Sequence, residues 1–89
     1  MTFTARHVTL GTVASAIATA SAKNTHELTM FNDYNHTIYV GGPDVTLANG
    51  FELQKNVPIT LKIANGDILY GVADTSPATL DLFDFQVDP

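Results

Sequence analysis

Turn-forming residues recur about every ten residues along this chain, and this spacing constrains the fold more than any other feature of the sequence. Glycine, asparagine, aspartate and proline cluster at Gly11, 23–24, 32–36, 41–43, 49–50, 56–58, 65–67 and 74–77. The segments between these clusters are short and contain many β-branched and aromatic residues. The pattern predicts an all-β fold, a small antiparallel β-sandwich or barrel of about seven or eight short strands with no substantial helix.

The 89 residues predict a single β domain over 1–89. The chain has no cysteine, which excludes a disulfide framework and a thiolate metal site. Strands are predicted at 4–10 and 15–19, with a helix as the alternative because the second segment is rich in alanine. Residues 1–22 are interpreted as an N-terminal arm or strand that contacts neighbours, because a weakly patterned segment of small residues suits a flat partner surface better than its own core.

The pattern from Pro58 to Ala73 predicts a hairpin. Ile59, Leu61 and Ile63 alternate with polar residues, as in a strand with one buried face. The following Asn65–Gly66 pair suits a type I′ turn, because both residues tolerate positive φ.

A second hairpin is predicted between strands at 27–31 and 37–40. Leu28 and Met30 alternate with outward residues in the first strand, and a polar loop separates the two strands.

In the last predicted strand, 78–87, the large apolar residues first occupy even-numbered positions and then odd-numbered positions. Leu80 and Leu82 share one face, whereas Phe83 and Phe85 fall on the other. This change predicts a β-bulge near 82–83. The alternative is a strand buried on both faces, one of them by a neighbouring subunit.

The three histidines, His7, His26 and His36, have no metal-ligand spacing and no evident orienting carboxylate. They are interpreted as solvated or hydrogen-bonded surface residues. With no cysteine and no Gly-x-Ser-x-Gly motif, the sequence predicts no catalytic residues, no cofactor and no enzyme activity.

Carboxylates cluster near the C-terminus at Asp81, Asp84 and Asp88. In a regular strand Asp81 and Asp84 face opposite sides, so solvated edge charges are favoured over a Ca²⁺ site. The segment 32–36 resembles a Ca²⁺ loop only superficially, and Asx turns explain its residues better.

The formal net charge is −5, and only four residues are basic. The basic residues are scattered, which argues against a nucleic-acid partner. No segment approaches the roughly 20 apolar residues of a membrane span. The apolar run 8–22 ends in small residues, so a cleaved signal peptide is an alternative interpretation.

Four segments in the middle of the chain share a characteristic order and spacing: ELTMFND at 27–33, IYVGGPDVT at 38–46, ANGFEL at 48–53 and GDILYGV at 66–72. Through these segments, about residues 26–73 resemble small virion proteins of tailed bacteriophages. The resemblance implies a capsid decoration, or cement, protein on the outer surface of the virion, a homotrimer bound to the major capsid protein. Pro43 departs from the family pattern and would stiffen its loop.

Alternative functions are a tail, collar or head-fibre module of the virion and a secreted ligand-binding β-sandwich. Candidate interface residues lie in the N-terminal segment, in the loop after the fourth predicted strand, or opposite the inferred core positions: Phe3, Arg6, Val8, Leu10, Phe31, Tyr39, Pro43, Phe83 and Phe85.

Overall fold

The computed structural model describes residues 2–20, 25–32 and 37–87, with side chains for 4–20, 25–32 and 37–86. These residues form eight strands and no helix. The strands are β1 (Thr2–Leu10), β2 (Ser15–Thr19), β3 (Thr25–Phe31), β4 (Ile38–Gly41), β5 (Phe51–Leu53), β6 (Ile59–Ala64), β7 (Ile68–Ala73) and β8 (Ala78–Val87). The predicted all-β fold is confirmed.

The strands form two antiparallel four-stranded sheets that enclose one core. The first sheet has the order β1-β8-β3-β6, and the second has the order β2-β7-β4-β5. Apart from β4 to β5, each pair of consecutive strands lies in different sheets. The chain therefore alternates between the two layers of a sandwich.

This alternation contradicts both predicted hairpins. The turn at Asn65–Gly66 has the expected positive φ values of 56° and 86°, and the Asp67 amide donates to the Ala64 carbonyl at 3.1 Å. However, β6 pairs with β3, whereas β7 pairs with β2 and β4. The strands β3 and β4 also lie in different sheets. Alternating residues and a tight turn fit a sheet-to-sheet connection as well as a hairpin, because both strands face the same core.

The first two strands belong to the sandwich itself. Leu10, Ile17, Ala18 and Ala20 are buried in the core. The expectation that small, weakly patterned residues would pack on a partner instead of their own core is wrong at these four positions. Hydrophobic periodicity alone does not indicate that Ala18 and Ala20 are buried.

A β-bulge does occur, but in β2 instead of β8. The register against β7 shifts between Ala16 and Ala18, so Ile17 is the extra residue. A Cβ at Gly71 would lie 2.5 Å from Ile17 Cδ1, so the absence of a side chain at Gly71 makes room for Ile17. The Arg6 Nη2 donates to the Ile17 carbonyl at 2.8 Å. Arg6 thus joins β1 of one sheet to the bulge of the other.

Candidate interaction surface

The outer face of the first sheet carries three aromatic side chains on neighbouring strands. Phe83 is 45% exposed, and Phe31 and Phe85 are partly exposed. Phe83 pairs across the sheet with Thr29, and Phe85 pairs with Glu27. We call the outer surface formed by Phe31, Phe83 and Phe85 the aromatic face. Its side chains stand on regular strands, so their positions are fixed by the backbone ladder.

The strand β8 reaches this face without a bulge. Its register is continuous against β1 from Ala78 to Gln86 and against β3 from Asp81 to Val87. The bulge predicted near 82–83 is therefore wrong. The apolar parity changes because Leu80 and Leu82 face the core, whereas Phe83 and Phe85 face outwards.

A shallow depression of about 380 Å³ lies beside Phe31 and Phe83. Its lining includes His7 and Asp81, whose Nδ1 and Oδ1 atoms lie 2.6 Å apart. The prediction that no histidine has an orienting carboxylate is wrong, because the register of β1 and β8 places His7 directly opposite Asp81. Among the described residues no serine or threonine hydroxyl is hydrogen-bonded to this ring. The pair can position a polar group at the rim of the aromatic face.

A second histidine–carboxylate pair lies inside the sandwich. The His26 Nδ1 and Asp84 Oδ1 atoms are 2.8 Å apart, and both residues are buried. The prediction that His26 is a surface residue is therefore wrong. Its Nε2 is buried without a hydrogen-bond partner in the described part of the chain. His36 and Asp88 lie outside the described residues. Asp81 and Asp84 face opposite sides of β8, as predicted.

The candidate interface residues of β1 have different environments. Leu10 is 1% exposed, so the fold itself uses the side chain and a partner cannot reach it. Val8 is partly buried against the core. Arg6 is exposed at the sandwich edge and bonds to β2. Phe3 has its backbone in β1 opposite Phe85, and its side chain lies outside the described residues.

Tyr39 and Pro43 belong to the second sheet and its loop. Tyr39 lies on the outer face of β4 and is half-buried, and Pro43 is exposed. Residues 42–50, which we call the covering loop, fold back over this face. Val45 of the loop is 5% exposed, and the outward-facing Val72, which lines the same groove, is 2% exposed. The chain thus covers with its own loop the sheet face from which Tyr39 projects.

The sequence predictions did not include the apolar groove beside the covering loop. The groove is lined by residues that include Val13, Val45, Leu47 and Val72. Val13 is 74% exposed and Leu47 is 46% exposed. Both lie outside the strands, where alternation gives no signal, so only their hydrophobicity in turn segments could have identified them.

No cluster of three or more histidine, aspartate or glutamate side chains that could hold a metal ion occurs among residues 4–20, 25–32 and 37–86. The described residues also form no helix that could span a membrane. The segment 33–36, which contains the superficially Ca²⁺-like residues, lies outside the described residues.

No protein-family model, curated protein sequence or solved structure matches this chain.

Proposed function

We propose that this chain is a non-enzymatic capsid decoration protein that binds the major capsid protein on the outer surface of a bacteriophage head. The observation that carries the proposal is the aromatic face. Phe83 and Phe85 extend from a fully regular strand away from the core, and Phe83 is 45% exposed there. The resemblance of residues 26–73 to virion proteins supports the choice of partner.

The chemistry of this face suits protein binding. Burying one Phe side chain in an interface contributes about 1.5–3 kcal/mol, and aromatic rings lose little conformational entropy because they have two χ angles. The His7–Asp81 pair at the edge of the face supplies polar groups for a rim around an apolar centre. On a lattice, many copies of such a modest contact act together and stabilise the shell.

The alternative of a secreted module requires cleavage of the N-terminal segment, and this segment is part of the sandwich. Cleavage after Ala22 would remove β1 and β2, which supply the core residues Leu10, Ile17 and Ala18, together with the buried Ala20 that follows β2. We therefore favour a virion role for the sandwich that contains these strands. The number of copies per particle separates a decoration protein, present in hundreds of copies, from a tail, collar or fibre module.

The proposal is tested by adding purified protein to virions assembled without this chain. We expect binding at a copy number comparable to that of the major capsid protein, and greater resistance of the heads to heat. Phe83→Ser should reduce binding at least tenfold, because the central aromatic side chain is lost.

Leu47→Ser is the matched control, because Leu47 has nearly the same exposure as Phe83 but lies on the opposite side of the sandwich. This variant should bind like the unmodified protein. Binding at only a few sites per particle, or equal losses for the two variants, would overturn the proposal.

A further inference from the structure

The sequence Ala-Asn-Gly occurs twice in the chain, at 48–50 in the covering loop and at 64–66 in the turn between β6 and β7. An asparagine followed by glycine is open to internal attack, because glycine has no side chain to hinder the approach of its amide nitrogen to the asparagine Cγ atom. Both Asn49 and Asn65 are exposed, so contact with water does not distinguish them. The two sites differ in the hydrogen bonds of the groups that would react.

The covering loop restrains both reacting groups of Asn49–Gly50. The Asn49 Oδ1 atom accepts the Thr46 amide at 2.7 Å, and the Asn49 Nδ2 atom donates to the Asp44 carbonyl at 3.4 Å. The Gly50 amide, which would be the nucleophile, donates to the Thr46 carbonyl at 3.0 Å. Ring closure between Asn49 and Gly50 therefore requires the loop to open first.

The turn at Asn65–Gly66 is held at its two ends. The Asp67 amide donates to the Ala64 carbonyl at 3.1 Å, and the Ala64 amide donates to Asp67 Oδ2 at 3.2 Å. Within the described part of the chain, neither the Asn65 side chain nor the Gly66 amide makes a hydrogen bond. A Cβ at Gly66 would meet no atom within 4 Å, so the space around the nucleophile is open. No hydrogen bond of their own restrains the reacting groups here.

We propose that Asn65 deamidates spontaneously in the folded protein, whereas the covering loop protects Asn49. The Gly66 nitrogen loses its proton to solvent and attacks Asn65 Cγ, forming a C–N bond, and the side-chain nitrogen takes up a proton and leaves as ammonia. Water then adds to either carbonyl of the resulting succinimide ring and breaks one of its C–N bonds. The products are aspartate and isoaspartate, which carry a negative charge where asparagine carries none.

The modification alters the connection between the two sheets. Both products place a new carboxylate two residues before Asp67, in a chain that is already acidic. Isoaspartate also adds a carbon to the main chain of the turn, so the Asp67 amide should lose its hydrogen bond to the Ala64 carbonyl. Amide hydrogen exchange at Asp67 should therefore be faster in the isoaspartate form than in the unmodified protein.

Ageing of the purified protein at neutral pH tests the proposal without any virion, so its outcome is independent of the capsid role. Peptide mapping by mass spectrometry, with electron-transfer fragmentation to separate aspartate from isoaspartate, follows residues 49 and 65 over time. We expect both products at residue 65 and at least about tenfold slower conversion at residue 49, because hydrogen bonds must break there first. Equal rates, faster conversion at residue 49, or no isoaspartate at residue 65 would overturn the proposal.

The same measurement in urea is the control for the effect of sequence alone. Without the fold, both Ala-Asn-Gly segments should deamidate at similar rates, and a tenfold difference that persists in urea would contradict a structural cause. Asn65→Gly keeps a turn that tolerates positive φ and removes the reacting side chain. Ammonia release from this folded variant should fall well below that of the unmodified protein. An unchanged rate of release would place the reactive site elsewhere and overturn the proposal.

Discussion

The outer faces of the two sheets differ in what covers them. On the second sheet the covering loop folds over β4, and Val45 of the loop and Val72 of β7 are only 5% and 2% exposed. The loop is held by its own hydrogen bonds, from the Thr46 amide to Asn49 Oδ1 at 2.7 Å and from the Gly50 amide to the Thr46 carbonyl at 3.0 Å. On the first sheet Phe83 is 45% exposed on a regular strand.

This difference distinguishes apolar residues that the chain covers with its own loop from those that stay partly exposed. Gly50 shows how closely the covering loop approaches the second sheet, because a Cβ there would lie 2.6 Å from Tyr39 Cβ and 2.7 Å from Val45 Cγ2. The covering loop therefore packs closely on the second sheet. No loop of the described residues buries Phe83 in this way, since it stays 45% exposed, and our proposal places the capsid on this face.

The largest expected effect on the free energy of unfolding is on the core side of the first sheet, and it is compared with the outer face of the same sheet. Asp84→Ala removes the buried partner of His26 and should lower the free energy of unfolding by about 3 kcal/mol, because it leaves the imidazole unpaired in the core. Asp81→Ala removes the matching partner of His7 on the outer face and should cost less than about 1 kcal/mol, because that pair is solvated. Urea denaturation of both variants measures the difference. Equal losses would show that the outer face also supports the fold.

An intermediate effect is expected in the covering loop. Val45→Ala should destabilise the protein by about 1–2 kcal/mol, because it removes two methyl groups from a packed contact with the second sheet. The exposed Leu47 in the same loop provides the control, and Leu47→Ala should change the thermal midpoint little. If Val45→Ala left the free energy of unfolding unchanged, the packing of Val45 would not contribute to the stability of the covering loop on this sheet.

The smallest effect is expected on the aromatic face. Phe83→Ser should change the free energy of unfolding by less than about 1 kcal/mol, because the ring is half exposed and contributes mainly cross-strand contacts. Thermal and urea melts of the free protein would check this value. A loss comparable to that of a core variant would contradict the separation between folding and binding surfaces.

The sequence predicted the strands better than their partners. Alternation placed Leu28, Met30, Ile59, Leu61 and Ile63 on the core side of β3 and β6, as the structure shows. The positive φ values at Asn65 and Gly66 were also predicted from turn chemistry. Pairing was not predictable, because a local pattern shows which face of a strand is buried but not which strand lies beside it.

The candidate surface was predictable in part. The parity change at 82–83 singled out Phe83 and Phe85, but local periodicity does not distinguish a bulge from a strand with two apolar faces. The continuous register of β8 makes that distinction. The pairings of His7 with Asp81 and His26 with Asp84 join residues far apart in sequence, so they required the sheet register.

Oxidative footprinting of both sheet faces, in the free protein and on virions that carry it, is the most direct test of the account. We predict that hydroxyl-radical modification of Phe31, Phe83 and Phe85 falls on binding, whereas modification of Val13 and Leu47 stays as in the free protein. Protection of Val13 and Leu47 with unchanged modification of the aromatic face would contradict the assignment of that face to the capsid.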